Sequence, residues 1–234
     1  MDALLHVASD RGTLPLDVLA GLTLLAVLPF LLVMCTSFVR IVVVLSLVRS
    51  AIGASALPPN AVITGLALVL TLVVMTPTLQ RIGHDAVDPY SRGALSQSQA
   101  FERSVIPLRA FMLRQTHLAD IALFDRIAHR AATLPRRAPL VVLVPAFVVG
   151  ELRSAFAIGF ALYLPFVAID LAVAAMLMGL GMMMLSPPVV SLPVKLLLFV
   201  MVDGWALVCG GVAMSFRWIR TRQGNVWLGP SVSA

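Results

Sequence analysis

Charge is what this sequence has least of. Only 12% of its 234 residues are Asp, Glu, Lys or Arg, and Lys195 is its single lysine, whereas soluble domains carry roughly 25% charge. With 60% hydrophobic residues and a mean hydropathy of +0.99, that scarcity excludes an ordinary soluble domain. The net charge of +6 is spread over loops and ends without a dense basic block, so nucleic acid is not indicated as a partner. Cysteine is nearly missing: Cys35 and Cys209 stand singly inside apolar runs, which excludes a disulfide framework or a CxxC zinc site and leaves them as small packing residues. His84, His117 and His129 are dispersed without metal-ligand spacing, and the apolar stretches hold no histidine, so neither a metal nor a cofactor is expected. Short alternating segments of the porin kind are absent, which argues against a membrane barrel. Asp170 lacks the glycine-aspartate signature of a membrane aspartyl protease, and Ser154 has no recognisable base partner. The chain is therefore not expected to be an enzyme, and a protease sharing a proton between Asp170 and Asp203 is disfavoured.

What is present is a set of long apolar blocks of Leu, Val, Ala, Met and Ile. In hydrocarbon every backbone N–H and C=O must pair within its own segment, and a helix does this most simply. The expected fold is all-α: a helical-hairpin membrane protein with an amphipathic helical extramembrane region. Residues 1–13 form an N-terminal tail. Residues 14–79 form a first hydrophobic hairpin, with no small-residue cleavage site before Arg40, so the run from Leu14 is expected to be retained. Its turn, around Pro58 and Pro59, leads to Asn60, which is placed to cap a second helix. Arg40 and Arg49 read as solvated or headgroup-facing.

Residues 80–140 switch composition, holding nine of the seventeen basic residues and five of the eleven acids. Residues 83–99 read as irregular. Two amphipathic helices follow: Phe101, Val105, Leu108 and Met112 stripe the first, which Pro107 is expected to kink or restart. Ile121, Phe124, Ala128 and Ala131 stripe the second, with Asp125, Arg126 and Arg130 turned outward. Residues 141–216 form the second hydrophobic hairpin or hairpins around a Met-rich loop, with a helix boundary expected near Gly159 and a last helix over 189–216. Residues 217–234 form a polar tail. Arg40 and Arg49 place the first turn on the cytoplasmic side, but Arg217, Arg220 and Arg222 then fall outside if four simple crossings hold. The over-long first and third stretches point the same way, to something other than a plain four-helix membrane protein.

Particular runs carry a family resemblance. They are Thr36-Ser37-Phe38-Val39-Arg40-Ile41, Pro58-Pro59-Asn60, Pro107-Leu108-Arg109-Ala110-Phe111-Met112, Val144-Pro145-Ala146-Phe147, Glu151-Leu152-Arg153-Ser154, Ile169-Asp170-Leu171, Gly181-Met182-Met183-Met184, Ser191-Leu192-Pro193-Val194-Lys195 and Val202-Asp203-Gly204-Trp205. In this order they resemble the FliP family, which includes flagellar members and injectisome counterparts of the SctR type, and the run around Phe111 to Thr116 is the more flagellar of the two. The resemblance implies an oligomeric export-gate subunit. It would be present in five copies and joined by FliQ-like, FliR-like and FlhB-like subunits in the bacterial inner membrane at the flagellar basal body. Unfolded flagellar proteins would be the cargo, residues 80–140 would be periplasmic, and helices would be raised partly out of the bilayer, touching neighbouring subunits as well as lipid. An injectisome subunit, or a small ion channel or secondary transporter, is the alternative. The transporter is weakened by the lack of inverted repeats.

Two residue groups stand out as mechanistic. Met182, Met183 and Met184 lie between Gly179 and Gly181 on one side and Pro187 and Pro188 on the other, which read as hinge and turn residues. On the residues alone they are either loop packing or a hydrophobic gasket that deforms around a passing chain; the resemblance favours the gasket. Glu151, Arg153, Asp170, Lys195 and Asp203 are ionisable residues in the apolar second half, where an unpaired charge costs at least ~2.5 to 3.5 kcal/mol. Glu151 and Arg153 are two apart and face different ways on a helix, so pairing is expected between helices or between subunits. Lys195 with Asp170 or Glu151 is the pairing expected to hold a ring together; local snorkelling of Lys195 and capping by Asp203 are the plainer reading.

Overall fold

The computed structural model describes residues 33–53, 58–130, 134–182 and 184–216, with residues 22, 23, 26 and 30 before them and the pairs 219–220 and 227–228 after them. The expected tails over 1–13 and 217–234 lie outside these residues, apart from a two-residue antiparallel ladder pairing Ile219 with Leu228 and Arg220 with Trp227. The rest is all-helical.

Helix α1 (Phe38–Ile52) sits at the centre, packed along α6 and against α2. Its β-branched residues are poor helix formers in water, but tertiary burial overrides that preference: Ile41, Val44 and Val48 are all enclosed, with Leu45 among them. Gly53 ends it with a left-handed φ of 84° and an N–H bonded to the Ser50 carbonyl, the usual glycine stop.

Helix α2 (Asn60–Ile82) does not end where the composition changes. It runs through a π turn (Gly83–Val87) into α3 (Asp88–Ser91), a rod of 32 residues from Asn60 and roughly 48 Å long at 1.5 Å per residue. The expected irregular segment from residue 83 is thus helical through Ser91. The π turn takes one extra residue into the helix and turns Ala86 inward. Asn60 does not cap this helix; the capping position is Pro59, without a side-chain bond.

Helix α4 (Gln97–Gln115) opens on a capping box: Ser96 Oγ accepts the Gln99 N–H at 3.3 Å, and Gln99 Oε1 accepts the Ser96 N–H at 3.0 Å. It continues straight through Pro107, which is buried, with no restart. Helix α5 (Leu118–Ile127) corrects the expected orientation of its stripe: Asp125, expected outside, is buried with Asp120 and Ile121, while Ala128 is exposed and Ala131 falls outside the described residues.

Helix α6 (Leu140–Gly179) is one unbroken helix of 40 residues, roughly 60 Å long and twice the ~30 Å hydrocarbon core. No boundary occurs at Gly159. That glycine lets α1 approach: a Cβ there would lie 2.3 Å from Leu47 Cδ1. Pro145 and Pro165 are absorbed within the helix, as prolines in membrane helices are when neighbouring groups satisfy the freed backbone.

The expected last helix over 189–216 is instead two, α7 (Pro187–Met201) and α8 (Gly204–Ser215), bent by 65°. Asp203 takes the left-handed conformation at φ 50°, rare for a residue with a side chain. Gly204 follows because a Cβ there would sit 2.3 Å from the Phe199 ring. The rod Asn60–Ser91 and α6 are long and apolar enough to cross a membrane, and α7 with α8 make a third crossing if the bent pair counts as one.

Two aromatic groups fix the layers. Phe111, Phe147 and Phe216, all fully enclosed, join α4, α6 and the end of α8 at centroid distances of 5.8 and 6.4 Å. Phe166, Phe199 and Trp205 join α6, α7 and α8 at 6.3 and 5.3 Å. Such pairs add about 0.5 to 1.5 kcal/mol each beyond area burial.

Candidate functional site

The ionisable residues of the apolar half sort into three pairs and one exception. Arg40, expected at the surface, is buried, because its guanidinium meets a complete set of acceptors. Nε donates to Glu151 Oε2 at 2.8 Å and Nη2 to Glu151 Oε1 at 2.5 Å. Nη2 also reaches Gln115 Oε1 at 3.3 Å, and Nη1 reaches the Ser215 carbonyl at 3.3 Å and Ser215 Oγ at 3.1 Å. Five N–H groups thus find five acceptors, and the guanidinium lies 3.9 Å from the centre of the Phe216 ring. One arginine gathers α1, α4, α6 and the end of α8. A bidentate, fully hydrogen-bonded pair of this kind is what a buried charge requires.

Arg153, two residues beyond Glu151, turns to a different neighbour. Its two terminal nitrogens donate to Asp120 at 3.1 and 2.8 Å, tying α6 to α5. Asp120 is buried while Arg153 is half-exposed. On α4, burial and the neighbouring Arg81 guanidinium bring the Arg114 pKa down to about 10, which still leaves it charged at neutral pH.

Lys195 donates from Nζ to Asp170 Oδ2 at 2.5 Å and to the Ala51 carbonyl at 3.3 Å. Ser191, one helical turn before Lys195, donates to Asp170 Oδ1 at 2.5 Å. The ammonium therefore closes α7 onto α6 and also meets the carbonyl end of α1, where the helix dipole favours a cation. All three pairs join helices of one chain, so the charges expected to pair Lys195 with Asp170 or Glu151 across subunits are already matched inside the chain. Asp203 is the exception: it is exposed at the α7–α8 bend and makes no ion pair among the described residues, nor does its side chain cap α8.

The methionine loop lies at the far end of the α6–α7 hairpin. Gly181, at φ 74°, sends its N–H to the Met178 carbonyl, and Met182 sends its own to the Leu177 carbonyl, so the last carbonyls of α6 are used. Pro187 and Pro188 open α7 after Ser186, where their missing N–H groups cost nothing. Between these fixed ends Met184 is fully exposed and Met182 44% exposed; Met183 falls outside the described residues. Gly179 ends α6 with open space around it. Asp170 lies nine residues before Gly179 and Lys195 eight after Pro187, about 12 to 14 Å along each helix from the loop.

The arrangement offers no nucleophile with a base, and among the described residues no group of three or more His, Cys, Asp or Glu is placed to hold a metal ion. What it can do is physical: braced helices present flexible apolar side chains at a tip.

The sequence matches the FliP family over residues 21–212. The flagellar biosynthetic protein FliP of Pectobacterium carotovorum subsp. carotovorum is 51% identical over 205 residues, covering 87% of this chain and 80% of that protein. Its counterpart in Caulobacter vibrioides is 48% identical, covering 85% and 76%, and that of Bacillus subtilis 43%, covering 83% and 89%.

Proposed function

Since the chain belongs to the FliP family of flagellar biosynthetic proteins, we propose that it is a core, non-enzymatic subunit of the flagellar protein-export gate. Copies of it, five by the resemblance, assemble with FliQ-like, FliR-like and FlhB-like subunits in the bacterial inner membrane. Together they line a channel for unfolded flagellar proteins. The observation that carries this reading is the methionine loop, a tip of exposed thioether side chains on a hairpin whose two helices are clamped together by Asp170 and Lys195.

Around a ring, such tips meet as an apolar constriction. Water and ions face a dewetting barrier there, while unbranched methionines repack against whatever sequence passes. Gly179 and Gly181 with Pro187 and Pro188 bound the segment that moves; the clamp marks the part that does not.

The exposed apolar surface supports assembly. Phe156, Phe160, Leu171, Met176, Val189, Val200 and Met201 are all uncovered on α6 and α7. Uncovered apolar side chains run along α6 from Val141 to Met178, roughly 55 Å against a hydrocarbon core of ~30 Å, which supports a share for neighbouring subunits. Asp203 then finds its partner, water or a cation, outside its own chain.

The test is co-expression with the neighbouring small membrane subunits, detergent extraction and mass measurement. A multi-copy complex containing those subunits supports the reading. A stable monomer that ignores them contradicts it.

A further inference from the structure

The stop of α6 decides where its last methionines go. Gly181 takes a left-handed φ of 74° and donates its N–H to the Met178 carbonyl at 3.1 Å, while Met182 donates its own to the Leu177 carbonyl at 2.9 Å. This pair of bonds is the Schellman arrangement, which folds the residue after the glycine back over the last turn of the helix it closes. Met182 is thereby returned to the turn that carries Met178.

The two methionines line one hollow of about 290 Å³, completed by Ala174, Leu177, Leu185 and Pro187. Both are exposed, so the hollow can be entered from outside. Its side chains offer two thioether sulfurs and otherwise only hydrocarbon. With no carboxylate, imidazole or thiol in that lining, nothing there suits Mg(II), Ca(II) or Zn(II). Thioethers are soft donors, and soft donors select Cu(I). The hollow also lies at the carbonyl end of a helix of 40 residues, where the helix dipole favours positive charge within the last turn.

We propose that Met178 and Met182 form a binding site for a soft monovalent metal ion, Cu(I) or its analogue Ag(I), held between their two sulfurs at the end of α6. Ligand type sets the metal class, since a site of neutral sulfur alone discriminates against hard cations. Neutral ligands also suit one positive charge better than two, because no acid in the lining offsets the cost of taking the ion out of water. The unbranched methionine side chains, each with three rotatable bonds, let the sulfurs close on a shared ion. Histidine and cysteine spacing cannot disclose a site of this kind. It belongs to a single chain and stands separately from the gate reading.

The experiment is native mass spectrometry of the whole chain purified in detergent, titrated separately with Ag(I), with Cu(I) kept reduced by ascorbate, and with Zn(II). Wild type is expected to retain Ag(I) and Cu(I), one ion per chain, and to leave Zn(II) in solution. Met178→Leu and Met182→Leu are volume-conserving changes that the fold tolerates. Each should weaken Ag(I) binding at least about tenfold, the worth of even an outer partner of a metal ligand. Met214→Leu removes an exposed thioether from α8 and should leave binding unchanged. Silver retained by the variant carrying both Met178→Leu and Met182→Leu, or lost equally in Met214→Leu, would overturn the site. So would silver lost when Cys35 and Cys209 are changed to Ala at unchanged melting temperature, which would make the thiols the ligands. Zn(II) bound as tightly as Ag(I) would contradict the thioether assignment as well.

Discussion

Lys195 Nζ and Asp170 Oδ2 are 2.5 Å apart, a bond between two antiparallel helices set about two and a half turns back from the loop they share. Lys195 is 6% exposed and Asp170 33%, so the lysine is the partner that cannot go unpaired. Lys195→Met leaves a partly wet aspartate, whereas Asp170→Asn leaves a buried ammonium and is expected to be the worse of the two, near the ~3 to 5 kcal/mol cost of breaking a buried pair. Thermal unfolding of the detergent-purified variants checks the order. The charge-swapped pair Asp170→Lys with Lys195→Asp should recover secretion only in part, because Ser191 and the Ala51 carbonyl are placed for the native polarity.

The Arg40 cluster should behave as a unit. Glu151→Gln removes the charge that matches a fully enclosed guanidinium and is expected to destabilise by about 3 to 5 kcal/mol. Pairing it with Arg40→Met should recover part of that loss, since two neutral side chains no longer bury an unmatched charge. A double-mutant cycle on thermal stability measures the coupling; additive losses would mean that the two residues act separately.

Glycine to alanine in a helix ordinarily stabilises by up to about 1 kcal/mol. At Gly159 and Gly204 the sign should reverse, because the added methyl meets Leu47 Cδ1 or the Phe199 ring at 2.3 Å, and overpacking costs roughly 1 to 3 kcal/mol. Leu47→Ala should rescue Gly159→Ala, seen as a regained melting temperature. The same rescue should not extend to Gly204→Ala.

The bent pair gives a separate expectation. Asp203 holds a left-handed conformation that glycine adopts without strain. Asp203→Gly should keep or raise thermal stability, whereas Asp203→Val should lower it by about 1 to 3 kcal/mol. If secretion falls in the glycine variant while stability holds, the carboxylate has a partner outside its own chain.

The apolar blocks made the helical class and the membrane-length helices legible, and the Gly-Met-Met-Met run between glycines and prolines marked the turn between α6 and α7. Hydropathy failed at Arg40, because its acid lies 111 residues away and a window along the chain sees a lone arginine. Asp125, expected outside, is buried for a related reason: a stripe of apolar residues does not reveal that an acid beside it turns inward. Local signals did exist for some of what was missed. Ser96 and Gln99 have capping-box spacing, and Ser191 stands one turn before Lys195, on the face that meets Asp170. The break before Gly204 had a local signal in the Asp203-Gly204 dipeptide, a common turn former, but the need for glycine there depends on the Phe199 ring filling the space a side chain would occupy. The unbroken α6 ran against the proline rule, which is written for helices in water rather than for helices packed in an apolar setting.

A methionine loop that seals a channel should keep ions from crossing it. The most direct test is ion leakage through the inner membrane of cells making the chain with its partner subunits, after Met182, Met183 and Met184 are all changed to Gly. Increased leakage is expected while flagellar proteins are still secreted. Leakage unchanged from wild type in a variant that still assembles and secretes would contradict it.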